Sequence, residues 1–292
     1  MFFKLKRIVK NGKVLKNESL KHHTSFKIGG RTKFFVEPSS FTELIDVVEF
    51  LELKKIKYYV LGNGTNVLAC DETFNGVIVS MLGLKSIRLY EEYVQVFAGV
   101  TINEICLFYL KHNMSGFEDA FGLPGSVGGA VVMNASAYNF EMKNMVQGVF
   151  ALVGGKVKYF SAEECGFGYR QSVFSNAIVL SVDLKLSSNK CDEKRMKFIM
   201  ELRKSFQPLN KPSAGSVFKR INDQPVSKII DDLGLKGTTI GGAKISEKHA
   251  GFIVNCDNAT AQDVKLLIEL IKKQVFSKHG ITLQEEIKFI EN

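Results

Sequence analysis

LGNGTNVL, Leu61 to Leu68, and GLPGSVGGAVVMNASAY, Gly122 to Tyr138, are the two stretches on which the reading of this chain turns. Glycine lets backbone N–H groups approach an anion with no Cβ in the way, and it reaches φ values that other residues avoid. Dense glycines directly after an apolar run point to phosphate contact, here one cradle built from two separate pieces. The first stretch lacks the G-x-G-x-x-G spacing of a dinucleotide fold, and neither ends in the Lys-Ser/Thr of a P-loop.

Upstream of the first stretch the pattern is strand, helix, strand. KFFVEP is apolar and extended, FTELIDVVEFLELKKI has helical periodicity and KYYVLG is rich in β-formers. Ser40 with Glu43 predicts a capping box for the helix, and Thr101 with Glu104 another before the second stretch. Between them GVIVSM, SIRLY and YVQVFAGV read as strands. Downstream, VFALVGGKVKYF predicts a hairpin across Gly154 and Gly155, AIVLSVDLKL a strand, and SSNKCDE, Ser187 to Glu193, a linker. The remainder reads as a different unit: a helix (KRMKFIMELRKSF), a Pro/Ser/Gly loop, a short helix ending at Gly234, a strand (GFIVN), an amphipathic helix (AQDVKLLIELIKKQVFSK) and a final strand.

With 292 residues, 45% hydrophobic and 24% charged, the chain can bury two cores without covalent staples. No run approaches a membrane span and the amino terminus has no signal-peptide core, so a cytoplasmic protein with no membrane partner is expected. Five scattered cysteines without C-x-x-C spacing indicate neither disulfides nor zinc, and the five histidines offer no chelating pair, so no metal is expected. The formal charge of +9 is spread along the chain without an interleaved aromatic block. It suits a small polyanion in a cleft better than nucleic acid.

HTSFKIGG (His23 to Gly30), CGFGYRQSVF (Cys165 to Phe174), PSAGSVFKR (Pro212 to Arg220), GLKGTTIGGAKISEKHAGFIVN (Gly234 to Asn255) and LQEEIKF (Leu283 to Phe289), with the two glycine stretches, resemble one family in the same order. It is the UDP-N-acetylenolpyruvoylglucosamine reductase family, in its shorter form. The resemblance implies an α+β protein: an FAD-binding module of the p-cresol methylhydroxylase type, made of two α+β subdomains, over residues 1–187 with an amino-terminal extension 1–20. A smaller α+β substrate-binding domain over 188–292 would follow. It also implies reduction of UDP-N-acetylglucosamine enolpyruvate to UDP-N-acetylmuramate for peptidoglycan, with noncovalent FAD as cofactor and NADPH as hydride donor. A flavoenzyme of the same fold that oxidises an alcohol or sugar with oxygen is the alternative.

Under the resemblance, Gly62, Asn63, Gly64, Thr65 and Asn66 would cradle the FAD diphosphate. Pro124, Gly125, Ser126, Val127, Gly128, Gly129 and Ala130 would line the other wall. Ser216 matches the family's proton donor, Arg170 its active-site arginine and Glu286 its catalytic glutamate. Lys236, His249, Arg220 and Lys288 match positions expected to contact substrate. Two positions depart from the pattern: Gln284 stands where an acidic residue is usual, and Phe206 where a basic one is common, which moves one diphosphate contact toward Lys204 or removes it.

Overall fold

The amino-terminal extension is packed. In the computed structural model, which describes residues 1–222 and 224–292, helix α1 (Phe2–Ile8) buries Leu5 completely, and Val9 and Val14 follow it into the same core. Helix α2 (Phe41–Leu53) packs against α1 and buries Leu44, Val47, Val48 and Leu51, the residues that recur on one helical face. Ser40 caps it by accepting the Glu43 N–H at 3.2 Å, but the reciprocal half of the expected capping box is absent. The Glu43 carboxylate turns instead to the N–H groups of Lys10, Asn11 and Ser39 and to the Ser39 hydroxyl, at 2.8–3.0 Å. The bonds from Lys10 and Asn11 to Glu43 span 33 and 32 residues and are invisible to a local cap rule.

Burial of Glu43 pushes its carboxyl pKa up, yet these hydrogen bonds outweigh it and the net direction is down. A carboxyl lowered in the folded state contributes stability that is present above its unfolded pKa, near 4.5, and is lost as pH falls through the lower folded value. We expect Glu43→Ala to cost about 3 kcal/mol at neutral pH by stranding three backbone donors. Urea titrations across pH 3 to 7 should find a shallower acid-side loss of stability in the variant; an unchanged slope would remove Glu43 from the account.

The chain forms two compact units, one of residues 1–16, 34–63 and 76–202, the other of 17–33, 64–75 and 203–292. The second therefore recruits two segments from the amino-terminal half, which a single cut between 187 and 188 does not describe. The 187–193 stretch is tied down rather than loose: Ser115 N–H donates to Asn189 O, and Asp192 N–H to the Glu118 carboxylate. The next helix, Glu193–Phe206, begins at its last residue.

The first unit holds a five-stranded antiparallel sheet in the order Lys156–Ser161, Val146–Val153, Ile178–Lys185, Tyr93–Phe97, Ile87–Leu89. Seven of the eight residues of its central strand are buried, so both faces are covered. The hairpin turn at Gly154 and Gly155 has φ of 54° and 73°, the positive pair that a tight two-residue turn requires. Helix α3 (Ile102–Lys111) carries the expected Thr101/Glu104 capping box. Helix α4 (Val127–Val132) lies close to the strand before it: a Cβ on Gly128 would stand 2.7 Å from that of Ala98. The short helix α5 (Met142–Met145) leads into Val146–Val153, and α6 (Glu193–Phe206) follows the last strand.

In the second unit a four-stranded antiparallel sheet runs Ser213–Ser216, Phe252–Asn255, Ala243–Ile245, Thr239–Ile240. The expected Pro/Ser/Gly loop is thus partly a strand. Helix α7 (Val226–Asp232) and the long helix α8 (Ala261–His279) cover the core, with Val264, Leu267, Ile268, Ile271 and Val275 buried on one face of α8. Asp71, just beyond the first glycine stretch, accepts the Ala261 and Gln262 N–H groups at 2.8 and 3.0 Å and so joins Thr260 in capping α8. The final strand Lys288–Ile290 leaves this sheet and pairs in parallel with Val67–Ala69. Among the described residues no helix is long and apolar enough to cross a membrane.

Candidate active site

The two glycine stretches meet in the first unit. A Cβ on Gly62 would lie 2.5 Å from Ser126 Oγ, and the Asn63 side-chain amide donates to Pro124 O. Within the second stretch most donors are already used: Val127 N–H bonds Val100 O, Gly128 N–H bonds Ala98 O, Gly129 N–H bonds Ser126 Oγ and Ala130 N–H bonds Ser126 O. These residues can form a wall, but from Gly125 to Ala130 only the Gly125 and Ser126 N–H groups make no hydrogen bond to the protein among the described residues.

The first stretch has the opposite character. Gly64 has φ +63° and a Cβ there would lie 1.9 Å from His23 O, while its own carbonyl accepts from Ser25 N–H at 2.9 Å. Held by that carbonyl, the loop leaves the N–H groups of Asn63, Gly64, Thr65 and Asn66 without a protein acceptor among the described residues. Four successive unused donors at a glycine that admits no side chain fit a diphosphate, because fixed dipoles stabilise a dianion without an ionisable group. The residues present therefore fit FAD. His22 and His23 both contact the Glu18 carboxylate, at 3.3 and 3.1 Å.

Ser216 and Glu286 are neighbours in the second unit. Between Ser213 and Ser216 the pairing with Phe252–Asn255 slips by one residue, a bulge of the kind that re-aims a side chain at a strand end. Directly after it, Val217 N–H bonds Gly251 O and Val217 O accepts the Glu286 N–H at 2.7 Å. Phe218 bridges Glu285 and Lys219 N–H bonds Gln284 O, so the chain around Ser216 pairs with the carboxy-terminal segment. Glu285 is engaged by Lys272 of α8. Asn66 joins this group, donating from Nδ2 to Glu286 O at 3.2 Å and accepting Lys288 N–H at 2.9 Å.

His249 belongs to the same neighbourhood, since Gly251 N–H donates to its Nδ1 at 3.2 Å. Burial, aided by the charge of Lys236, lowers its pKa below the usual 6.5, so the ring is neutral at pH 7. Lys236 pairs with Asp231 at 2.6 Å, Arg220 and the Lys288 side chain are exposed, and Phe206 is 62% exposed.

Arg170 lies in the first unit, at the tip of a tight turn closed by Gly168 and Gln171, with φ +55°. Its Nη1 donates to Ser136 Oγ at 2.8 Å. The turn is anchored by Asn134, which is buried, donates to Gly168 O and Glu141 Oε1 at 2.9 and 2.8 Å, and accepts Lys143 N–H. Asn134 and Ser136 fall inside the second glycine stretch and were not among the expected site residues; the signal was the M-N-A-S run near its end. We expect Asn134→Ala to destabilise the protein by about 2–3 kcal/mol, because three polar partners lose their bond. Urea unfolding checks this, and a cost near zero would mean the turn is held by other contacts.

Residues 207–290 match the family model described as UDP-N-acetylenolpyruvoylglucosamine reductase, C-terminal domain, and residues 32–156 match an FAD binding domain. The UDP-N-acetylenolpyruvoylglucosamine reductase of Caldanaerobacter subterraneus subsp. tengcongensis is 44% identical, covering 98% of this chain and 97% of the relative. That of Fervidobacterium nodosum is 42% identical, covering 93% and 90%. The crystal structure of UDP-N-acetylenolpyruvylglucosamine reductase from Thermus caldophilus superposes with a TM-score of 0.81 at 30% identity, over 96% of this chain and 98% of that one.

Proposed function

The chain belongs to the UDP-N-acetylenolpyruvoylglucosamine reductase family, and on that footing we propose that it reduces UDP-N-acetylglucosamine enolpyruvate to UDP-N-acetylmuramate with NADPH, using Ser216, Arg170 and Glu286. It is an FAD-binding α+β oxidoreductase. The reaction is assigned to the cytoplasm, as a step of peptidoglycan synthesis.

Bound FAD would supply the hydride chemistry that links NADPH to the terminal carbon of the enolpyruvyl group. Asn63 to Asn66 would hold its diphosphate through their unused N–H groups, with Gly125 and Ser126 as further donors. The protein's own task is to manage the charge and the proton that the hydride leaves to be dealt with. Negative charge develops on the adjacent carbon and its carboxylate. The Arg170 guanidinium is the group assigned to that carboxylate, and Ser136 limits the directions in which it can reach.

The Ser216 hydroxyl is a weak acid, yet a carbanion-like enolate is basic enough to take its proton. Hydride and proton then add across the double bond, and the product is saturated. Glu286, as the protonated acid, would donate a hydrogen bond to the developing enolate rather than repel it. The single observation that carries this assignment is the Glu286 N–H to Val217 O bond, which joins the segments bearing Ser216 and Glu286. Lys236, His249, Arg220 and Lys288 are assigned to the UDP-sugar, with neutral His249 as a hydrogen-bonding group.

An anaerobic titration tests the reading. The purified yellow protein should bleach with NADPH and regain colour on addition of UDP-N-acetylglucosamine enolpyruvate, and acid should release the pigment into the supernatant. Recolouring only on admission of air would identify instead an oxidase of the same fold.

A further inference from the structure

Six of the first seventeen residues are basic (Lys4, Lys6, Arg7, Lys10, Lys13, Lys16) and none is acidic, so this segment alone carries +6 of the formal +9. All six are exposed. Lys13 pairs with Glu37 at 2.8 Å, whereas the other five form no ion pair among the described residues. Helix α2, packed beside α1, carries exposed Asp46, Glu49 and Glu52, but none of these reaches the cations, and Glu52 accepts from Tyr58.

The segment is a built surface, not a loose tail. Leu5, Val9 and Val14 anchor it in the core, and Phe2 stacks on Phe34 at 6.4 Å while Lys16 and Lys6 sit 4.1 and 5.0 Å from the Phe2 ring centre. From that anchored base the apolar side chains of Phe3, Met1 and Leu15 project outward, 76%, 44% and 38% exposed. Apolar tips set among unpaired cations match the boundary between phospholipid headgroups and acyl chains: the cations meet anionic phosphates and the tips leave water. A nucleic acid would use the cations and can stack a base on Phe3, but it would leave the aliphatic Met1 and Leu15 in water.

We propose that the phenylalanine-tipped, cationic face of Met1–Lys16 is a docking surface for an anionic phospholipid bilayer. The chain would lie on the membrane rather than in it, so the lack of a spanning helix is no obstacle, although a partner of this kind goes against the expectation from sequence. The surface does not depend on the catalytic assignment.

The test is sedimentation of the full chain with vesicles of phosphatidylcholine alone or containing about 30% phosphatidylglycerol, at low and high salt. Partition onto the anionic vesicles should exceed that onto neutral ones by at least about tenfold and collapse at high salt. Lys4→Gln/Arg7→Gln/Lys10→Gln should lower it about 100-fold, near fivefold per cation, and Phe3→Ser about tenfold, with unfolding temperatures unchanged. Lys228→Gln/Lys273→Gln/Lys278→Gln removes equal charge elsewhere and should leave partition within about twofold. Equal adsorption to both vesicles, no adsorption to either, or equal loss in the two triple variants overturns the proposal. So does retention of a single-stranded RNA through Lys4, Arg7 and Lys10 without vesicle binding, which would identify a nucleic-acid surface.

Discussion

Ser216→Ala is expected to leave bleaching by NADPH unchanged and to slow recolouring by the enolpyruvyl substrate by about 10²–10⁴-fold, the usual span for loss of a positioned acid. The two half-reactions separate the possibilities. A hydroxyl that merely closed a turn would affect both or neither, whereas a proton donor is needed only after hydride reaches the substrate. Ser216 ends a strand interrupted by a bulge, and Gly215 before it has φ +79° with open space around it, so removing one oxygen should leave the backbone as it is. Stopped-flow absorbance under anaerobic conditions reads both phases. Equal slowing of both would assign Ser216 to architecture.

Glu286 refines the same prediction. Glu286→Gln keeps a neutral hydrogen-bond donor and should retain substantially more of the substrate half-reaction than Glu286→Ala. Equal losses in the two variants would exclude a role as neutral donor. The backbone bonds that fix this segment, from Glu286 N–H to Val217 O and from Asn66 Nδ2 to Glu286 O, do not involve the carboxyl group, so both variants should stay folded.

Gly64→Ala is expected to abolish flavin retention and to cost about 3–5 kcal/mol of stability. Two effects combine. At φ +63° an L-residue pays about 1 kcal/mol of backbone strain, and its Cβ would meet His23 O at 1.9 Å, a backbone atom that cannot rotate away. Relief requires the loop to move, and the loop carries the unused donors of Asn63 to Asn66. Gly154→Ala is the control: φ is +54°, but no atom lies within 4 Å of the new methyl. It should lose only the strain and purify with full visible absorbance per chain. If Gly64→Ala purified equally yellow, the first glycine stretch would not be a cofactor cradle.

Much of this protein was legible locally. The apolar period of α2, the Thr101/Glu104 box, the positive-φ turn at Gly154 and Gly155 and the two glycine stretches are each written within one short continuous segment, because dihedral preference, capping and amphipathicity act over that range. The motif residues Arg170, Ser216 and Glu286 could be named from their immediate neighbours. What their neighbours could not say is what each one touches.

That was decided by pairings between distant segments. Nothing near Glu286 announces that its amide meets Val217, nor does anything near Lys288–Ile290 announce a parallel partner at Val67–Ala69. Glu43 looked like half of a capping box and serves Lys10 and Asn11 instead. The second glycine stretch was expected to line one wall of the cradle, and most of its amide donors there are consumed by Ala98, Val100 and Ser126. The sequence by itself determined which elements form and which residues carry chemistry, since those follow from local stereochemistry and side-chain type. Tertiary structure alone decided which donors remain open and which side chains meet, since each backbone group bonds the best partner the whole fold brings within reach.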